Sequence, residues 1–203
     1  MGKTKKKLKA DVVVKNYWRN NEQFADFFNA VLYEGKQVIK PDVELCILGM
    51  ESQEHIHYAM PMRVMGYDYG SYKKQYDSNA VKYKTAKGLS DDEFISKMKR
   101  TDKFIPIITI VIYYGEKAWD GAVSLQGMLD IPEDMKAFIN DYKMNLVQVR
   151  ECIDFRFRNT DISTVFEIIQ MIYERDYKKM NALYGEKRID TELALVIGAV
   201  TNS

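Results

Sequence analysis

Apolar residues recur at three- and four-residue intervals between Tyr17 and Tyr33, where Phe24, Phe27, Phe28, Val31 and Leu32 form one stripe that Gly35 ends. The spacing predicts an amphipathic first helix, with Glu22, Asp26 and Asn29 on or beside its flank. The run from Val43 to Met50 is apolar and β-leaning, and reads as a strand whose start is blurred by Pro41. A second helical stripe of Met60, Val64, Tyr67, Ser71 and Gln75 spans His57 to about Asp77, with Pro61 tolerable only in a first turn. Ser78 to Gly88 is polar and lysine-rich and reads as a mobile loop. After it, Ser90-Asp91-Asp92-Glu93 has the capping-box spacing that starts a short helix.

Phe104 to Tyr114 is the clearest strand. Ile105, Ile107, Ile108, Ile110, Val111 and Ile112 leave no polar face except Thr109, which places the segment in the middle of a sheet. Trp119 to Pro132 reads as a loop with one helical turn around Leu125, Met128 and Leu129, and Asn145 to Val149 as a further strand. Val165, Ile168, Ile169, Ile172 and Tyr173 again follow a helical stripe, and Asp190 is placed to cap a last helix through Leu193, Val196, Ile197 and Val200. The alternation predicts an α/β core at residues 11–150, preceded by a basic tail at 1–10 and followed by a helical appendage at 151–203.

Composition narrows the class. With 203 residues, 46% hydrophobic, 29% charged and only 4 Pro and 11 Gly, the chain suits one folded domain and excludes disordered and collagen-like classes. Thirty basic residues against 29 acidic ones give a net charge of +1, so any nucleic-acid face must be local. The one concentration is Lys3, Lys5, Lys6, Lys7 and Lys9, which reads as a solvated tail or as a DNA-contacting arm. Cys46 and Cys152 match neither a disulfide framework nor a zinc site, which points to a reducing cytoplasm. No apolar run approaches the roughly 18 residues of a membrane helix, and no signal segment opens the chain.

Glu51 and Gln53 are two apart at the end of a strand, so their side chains share a face while Met50 and Ser52 point the other way. A carboxylate there can hold a divalent metal, and a neighbouring amide can orient a water or a phosphate oxygen. Both serve phosphodiester hydrolysis. Alone, Glu-x-Gln also suits a solvated sheet end. More specific are Arg63, Tyr67, Tyr72 and Gln75 on the following helix, ahead of Phe104-Ile105-Pro106-Ile107-Ile108. To these are added Asn21-Glu22-Gln23-Phe24-Ala25-Asp26, Gly35-Lys36-Gln37-Val38-Ile39-Lys40-Pro41 and His57-Tyr58-Ala59-Met60-Pro61.

On these residues the chain resembles the recombination-promoting nuclease and transposase-like family, a branch of the PD-(D/E)XK phosphodiesterases, from Asp11 to about Val149. The resemblance implies a restriction-endonuclease-like mixed sheet flanked by helices. It also implies a metal-dependent DNA endonuclease using Mg²⁺ or Mn²⁺ on double-stranded DNA. By motif position Glu51 is a metal ligand, and Gln53 stands where a lysine is usual. Glutamine can align water but supplies no positive charge. Arg63, with Lys5, Lys6 and Lys7, is expected on phosphate, and paired cuts in duplex DNA would go with a homodimer.

The family's first ligand, an aspartate on a preceding segment, has no counterpart here. Asp42 reads as the signature Pro-Asp, yet nine residues of continuous strand would put it roughly 30 Å from Glu51. It could share a metal only through a hairpin. Glu44, at an odd separation, would turn to the other face. Glu22 and Asp26 remain as further carboxylates, or as a solvated helix flank. His55 and His57 would continue the alternation of Glu51 and Gln53 if the strand ran on, making zinc conceivable. Two alternatives stand beside the nuclease: a catalytically degenerate module that binds DNA or protein, and a chain that lacks an internal or C-terminal segment.

Overall fold

The first predicted helix starts after Asn20 rather than at Tyr17, and a separate helix stands before that residue. In the computed structural model, which describes residues 10–41, 46–152 and 155–201, helix α1 (Ala10–Tyr17) precedes it and helix α2 (Asn21–Tyr33) follows. The Asn20 side chain accepts from the backbone N–H of Glu22 at 3.0 Å and of Gln23 at 3.3 Å. It thereby restarts the helix by satisfying donors that a first turn leaves without partners. α2 ends on Glu34 at φ 53° and Gly35 at φ 81°, the left-handed turn that glycine allows. Asn29, fully buried, then fastens the outgoing chain: it accepts from the Val38 and Ile39 N–H and donates to the Ile39 carbonyl.

Strand β1 (Ile47–Gln53) runs three residues past the end of the apolar run at Met50, and so carries both Glu51 and Gln53 as their alternation requires. Its extent is set by its partner, strand β2 (Ile107–Tyr113), which matches it in parallel from Ile47↔Ile107 to Gln53↔Tyr113. Asp42 and Glu44 lie outside the described residues, as does the whole of 42–45. Between β1 and β2 run helix α3 (Met60–Tyr83) and helix α4 (Asp91–Ser96). Pro61 sits in the first turn of α3 as expected, but the helix passes well beyond Asp77, through most of the stretch expected as a loop. Tyr83 explains the extension: its ring is buried and its hydroxyl donates to Asp102 at 2.9 Å. The capping box of α4 forms as the spacing predicts, with Ser90 and Glu93 each accepting the other's backbone N–H.

Strand β3 (Asn145–Gln148) pairs in parallel with the other edge of β2, giving the order β1-β2-β3 with β2 central. The expected mixed sheet is thus parallel throughout its described strands. The reason lies in the crossovers, since the long returns that carry α3 and α4, and then two 3₁₀ turns at Gln126–Met128 and Glu133–Phe138, bring each strand back in the same direction. Helix α5 (Thr160–Glu174), helix α6 (Tyr177–Tyr184) and helix α7 (Thr191–Thr201) complete the described chain, with Asp190 accepting from the Glu192 N–H at 2.8 Å as the cap of α7.

Alternation along β2 distributes two cores. Val111 packs with Met60 and Val64 of α3 on one face. Ile110 and Ile112 pack on the other with Val14 of α1, Phe27 and Phe28 of α2, Ile162 and Ile169 of α5, and Val196 of α7. The C-terminal helices expected as an appendage therefore close the larger core. Ile110 is fully buried, and each such side chain removed from water contributes roughly 1.5–3 kcal/mol. Without α5 and α7 that face of the sheet would be wet.

Candidate active site

The face of β1 that carries Gly49, Glu51 and Gln53 turns toward α3, because strand alternation assigns Leu48 and Met50 to the larger core. Glu51 and Gln53 share that face, and the Gln53 amide nitrogen donates to Glu51 Oε1 at 2.9 Å. Arg63, in the first turn of α3, donates from Nη2 to the same oxygen at 2.9 Å. One turn on, the Tyr67 hydroxyl accepts from Arg63 Nε at 3.1 Å and from Nη2 at 2.6 Å, and the guanidinium carbon lies 5.6 Å from the Tyr67 ring centroid. The i, i+4 spacing of Arg63 and Tyr67 makes this possible. The ion pair is about one-quarter to one-third exposed, at 32% for Arg63 and 22% for Glu51. Such a pair adds only about 0–1 kcal/mol to stability. Its consequence is positional, holding a carboxylate, an amide and a guanidinium together at an open surface.

Beside them is a cleft of about 280 Å³ that Glu51, Tyr67, Asp68, Ser71 and Thr109 help to line. Asp68 is the residue that the sequence reading missed. Only 5% exposed, it accepts from the Thr109 hydroxyl at 2.5 Å and, through its other oxygen, from the Tyr142 hydroxyl. Burial, then the hydrogen bond and charge of Asp68, push the Tyr142 phenol well above its ordinary pKa. Gly49 makes the arrangement possible, since a Cβ there would stand 2.6 Å from Thr109 Oγ1. A signal was present: Met60, Val64 and Asp68 follow one another at four-residue steps on the buried side of α3, and Thr109 is the lone polar residue in an apolar strand.

The remaining predicted residues separate. Tyr72 and Gln75 are docking groups: the Tyr72 hydroxyl accepts from the Ile107 N–H at 3.2 Å, and the Gln75 amide clasps Ile105, accepting its N–H at 2.7 Å and donating to its carbonyl at 3.0 Å. They fasten the far end of α3 to the entry of β2. Gln75→Ala leaves two backbone groups of a partly buried segment without these partners, and is expected to lower unfolding stability by about 1–3 kcal/mol in urea titration. Glu22 is exposed at the start of α2, on the layer that packs into the larger core. Asp26 is buried and accepts from the Arg158 and Asn159 N–H groups, both at 2.9 Å, which ties α2 to the entry of α5. Lys5, Lys6 and Lys7 lie outside the described residues, with Asp42.

The strand ends at Gln53, so the histidines do not continue its alternation. The His57 carbonyl instead accepts from the Met60 N–H at the start of α3, and His55 faces a separate cleft. Among the described residues no group of three His, Cys, Asp or Glu side chains is placed to hold a metal. In kind, Glu51 and Gln53 offer hard oxygens. With its nitrogen turned to Glu51, the Gln53 amide keeps its oxygen as an acceptor, and Glu51 Oε2 has no hydrogen-bond partner among the described residues. Such donors fit Mg²⁺, which commonly binds through one or two carboxylates and keeps several waters. No described helix is long and apolar enough to cross a membrane.

No curated protein and no solved structure matches the chain. A family model described as "Putative transposase, YhgA-like" matches residues 47–188, from the first residue of β1 to the connection between α6 and α7.

Proposed function

The chain belongs to the YhgA-like transposase family, and we propose that it acts on double-stranded DNA as a phosphodiester-cleaving endonuclease with a restriction-endonuclease-like core. The observation that carries the reading is the convergence of Glu51, Gln53 and Arg63 on one open surface, linked by 2.9 Å hydrogen bonds. Glu51 would hold Mg²⁺ or Mn²⁺. Asp42 and Glu22 remain the further carboxylates proposed from sequence. Bound there, the ion would supply acidity to a water and neutralise charge on a phosphate oxygen.

The chain's own residues supply the rest. Arg63 binds a phosphate oxygen while holding Glu51 in place, and Tyr67 fixes the plane of the guanidinium. Gln53 orients the attacking water by its amide oxygen. Lys5, Lys6 and Lys7 contact the backbone in a sequence-independent way, so affinity falls as salt rises. A homodimer would deliver paired cuts. Nicking of supercoiled plasmid in Mg²⁺ or Mn²⁺, abolished by EDTA, is the expected result, and intact plasmid in both metals would end the nuclease reading.

A second reading has its own observation. Asp68, the other carboxylate in the cleft, is taken up by Thr109 and Tyr142, and Glu51 is already paired with Arg63. A catalytically degenerate module would bind duplex DNA or protein without cutting. It predicts salt-sensitive duplex binding with intact plasmid and no rise in melting temperature on adding Mg²⁺.

A further inference from the structure

β1 is an edge of the sheet, since the order β1-β2-β3 gives it a neighbour on one side only among the described strands. Two ladder bonds fix which of its backbone groups face that neighbour. The Ile47 N–H donates to the Pro106 carbonyl at 2.8 Å, and the Gln53 carbonyl accepts from the Tyr114 N–H at 3.0 Å. Strand alternation therefore directs the N–H and C=O groups of Ile47, Gly49, Glu51 and Gln53 to β2, and those of Leu48, Met50 and Ser52 away from it. These three N–H and three C=O groups have no hydrogen-bond partner among the described residues.

Exposure agrees with an open edge. Every residue of β1 is half-buried, whereas β2, paired on both sides, is buried from Thr109 to Tyr113. The cleft of about 280 Å³ beside α3 follows the same strand from Ile47 to Glu51. Edge strands are commonly blunted by proline, lysine, a bulge or a covering element. Ile47-Leu48-Gly49-Met50-Glu51-Ser52-Gln53 contains neither proline nor lysine, and its register with β2 runs without a bulge. Glu51, its one charge, faces α3 and is taken by Arg63.

The edge is complementary to itself. Across a two-fold axis at Met50, an antiparallel second copy sets Met50 against Met50 and Leu48 against Ser52. Opposed residues of this kind exchange both N–H···O bonds, so every outward group of both copies finds a partner. Moving the register by two residues would set one of the three opposite a residue outside the strand. In the intervening positions Glu51 stands opposite Gly49, so neither bulk nor like charge, which destabilises such pairs, meets directly across the junction. The geometry points to β1 as the surface on which two copies of this chain associate, joining their sheets into one of six strands with both Glu51–Arg63 pairs on the same face. This gives a surface to the homodimer named above, and it rests on backbone geometry rather than on nuclease chemistry.

The test is the mass of the full chain by light scattering, over a range of about 1 to 200 µM. The parent is expected to rise with concentration from 23.7 kDa toward twice that value. Ser52→Pro removes one outward N–H from each copy and no bond to β2, a place where an edge strand tolerates proline, and should weaken association at least about 10-fold. Ser52→Ala, which keeps the N–H, should associate like the parent. Amide exchange followed by NMR locates the contact. Leu48, Met50 and Ser52 should exchange at least about 10-fold more slowly at the top of the range than at the bottom, with Gly49 and Glu51 protected throughout. A monomer at every concentration overturns the inference. So does association that Ser52→Pro leaves unchanged, or slow exchange of the three amides in the monomer, which would mean that a segment of this same chain covers the edge. Exchange in the parent decides the matter if the proline variant does not fold. Plasmid nicking reports separately: a monomer that nicks sinks the pairing and keeps the nuclease, and a dimer that leaves plasmid intact does the reverse.

Discussion

Glu51→Gln is expected to reduce Mg²⁺-dependent plasmid nicking by at least about 100-fold, equivalent to roughly 2.7 kcal/mol of barrier, while the unfolding midpoint moves little. The substitution keeps the size of the side chain and a hydrogen-bonding oxygen for Arg63 and Gln53, so packing at the end of β1 is preserved. It removes the charge, and with it the ligand that a hard cation needs. Little stability is lost, because a partly exposed ion pair contributes about 0–1 kcal/mol. Nicking rates measured beside a melting curve separate the two effects. A variant that melts like the parent and still nicks at the parent rate would move the active site elsewhere.

Asp68→Ala should have the opposite profile, with a loss of about 2–4 kcal/mol in unfolding stability. The carboxylate is the acceptor for the Thr109 and Tyr142 hydroxyls. Removing it leaves the Thr109 and Tyr142 hydroxyls without this acceptor, and each such loss costs about 1–3 kcal/mol. Urea unfolding of Asp68→Ala, Tyr142→Phe and the double variant checks this. The double variant should lose less than the sum of the singles, since the groups share one interaction. If Asp68→Ala unfolds like the parent but no longer responds to Mg²⁺, Asp68 is a metal ligand and the structural role assigned to it fails.

The residues that announce themselves in sequence are those whose chemistry is local. The capping box at Ser90 and Glu93, the cap at Asp190, the central placement of β2 and the shared face of Glu51 and Gln53 all follow from spacing alone. What could not be read is what depends on partners distant in the chain. β1 extends to Gln53 because β2 matches it sixty residues later, and α3 outruns its apolar stripe because Tyr83 finds Asp102. The four helix positions that looked like one motif divide between the site and the docking of β2, since Arg63 and Tyr67 lie near the end of β1 and Tyr72 and Gln75 near the start of β2. Asp26 appeared to be a flank carboxylate and is a link to α5, more than 130 residues away.

α1 and α7 pack in one core although they stand at opposite ends of the described chain. The span matched by the family model, 47–188, includes neither of them, nor α2. During synthesis, β1, β2 and α3 can pair as soon as they emerge, with α1 and α2 already present, but the cover of the Ile110 face is completed only when α5 and then residues 191–201 arrive. Closing a loop of that length is slow and carries an entropic cost, so folding of this chain is set by its least local contact. An excised 47–188 segment would keep Glu51, Gln53 and Arg63 in sequence while exposing the apolar surface that aligns their strand. The site is therefore a property of the whole chain, contributed by residues that never touch it.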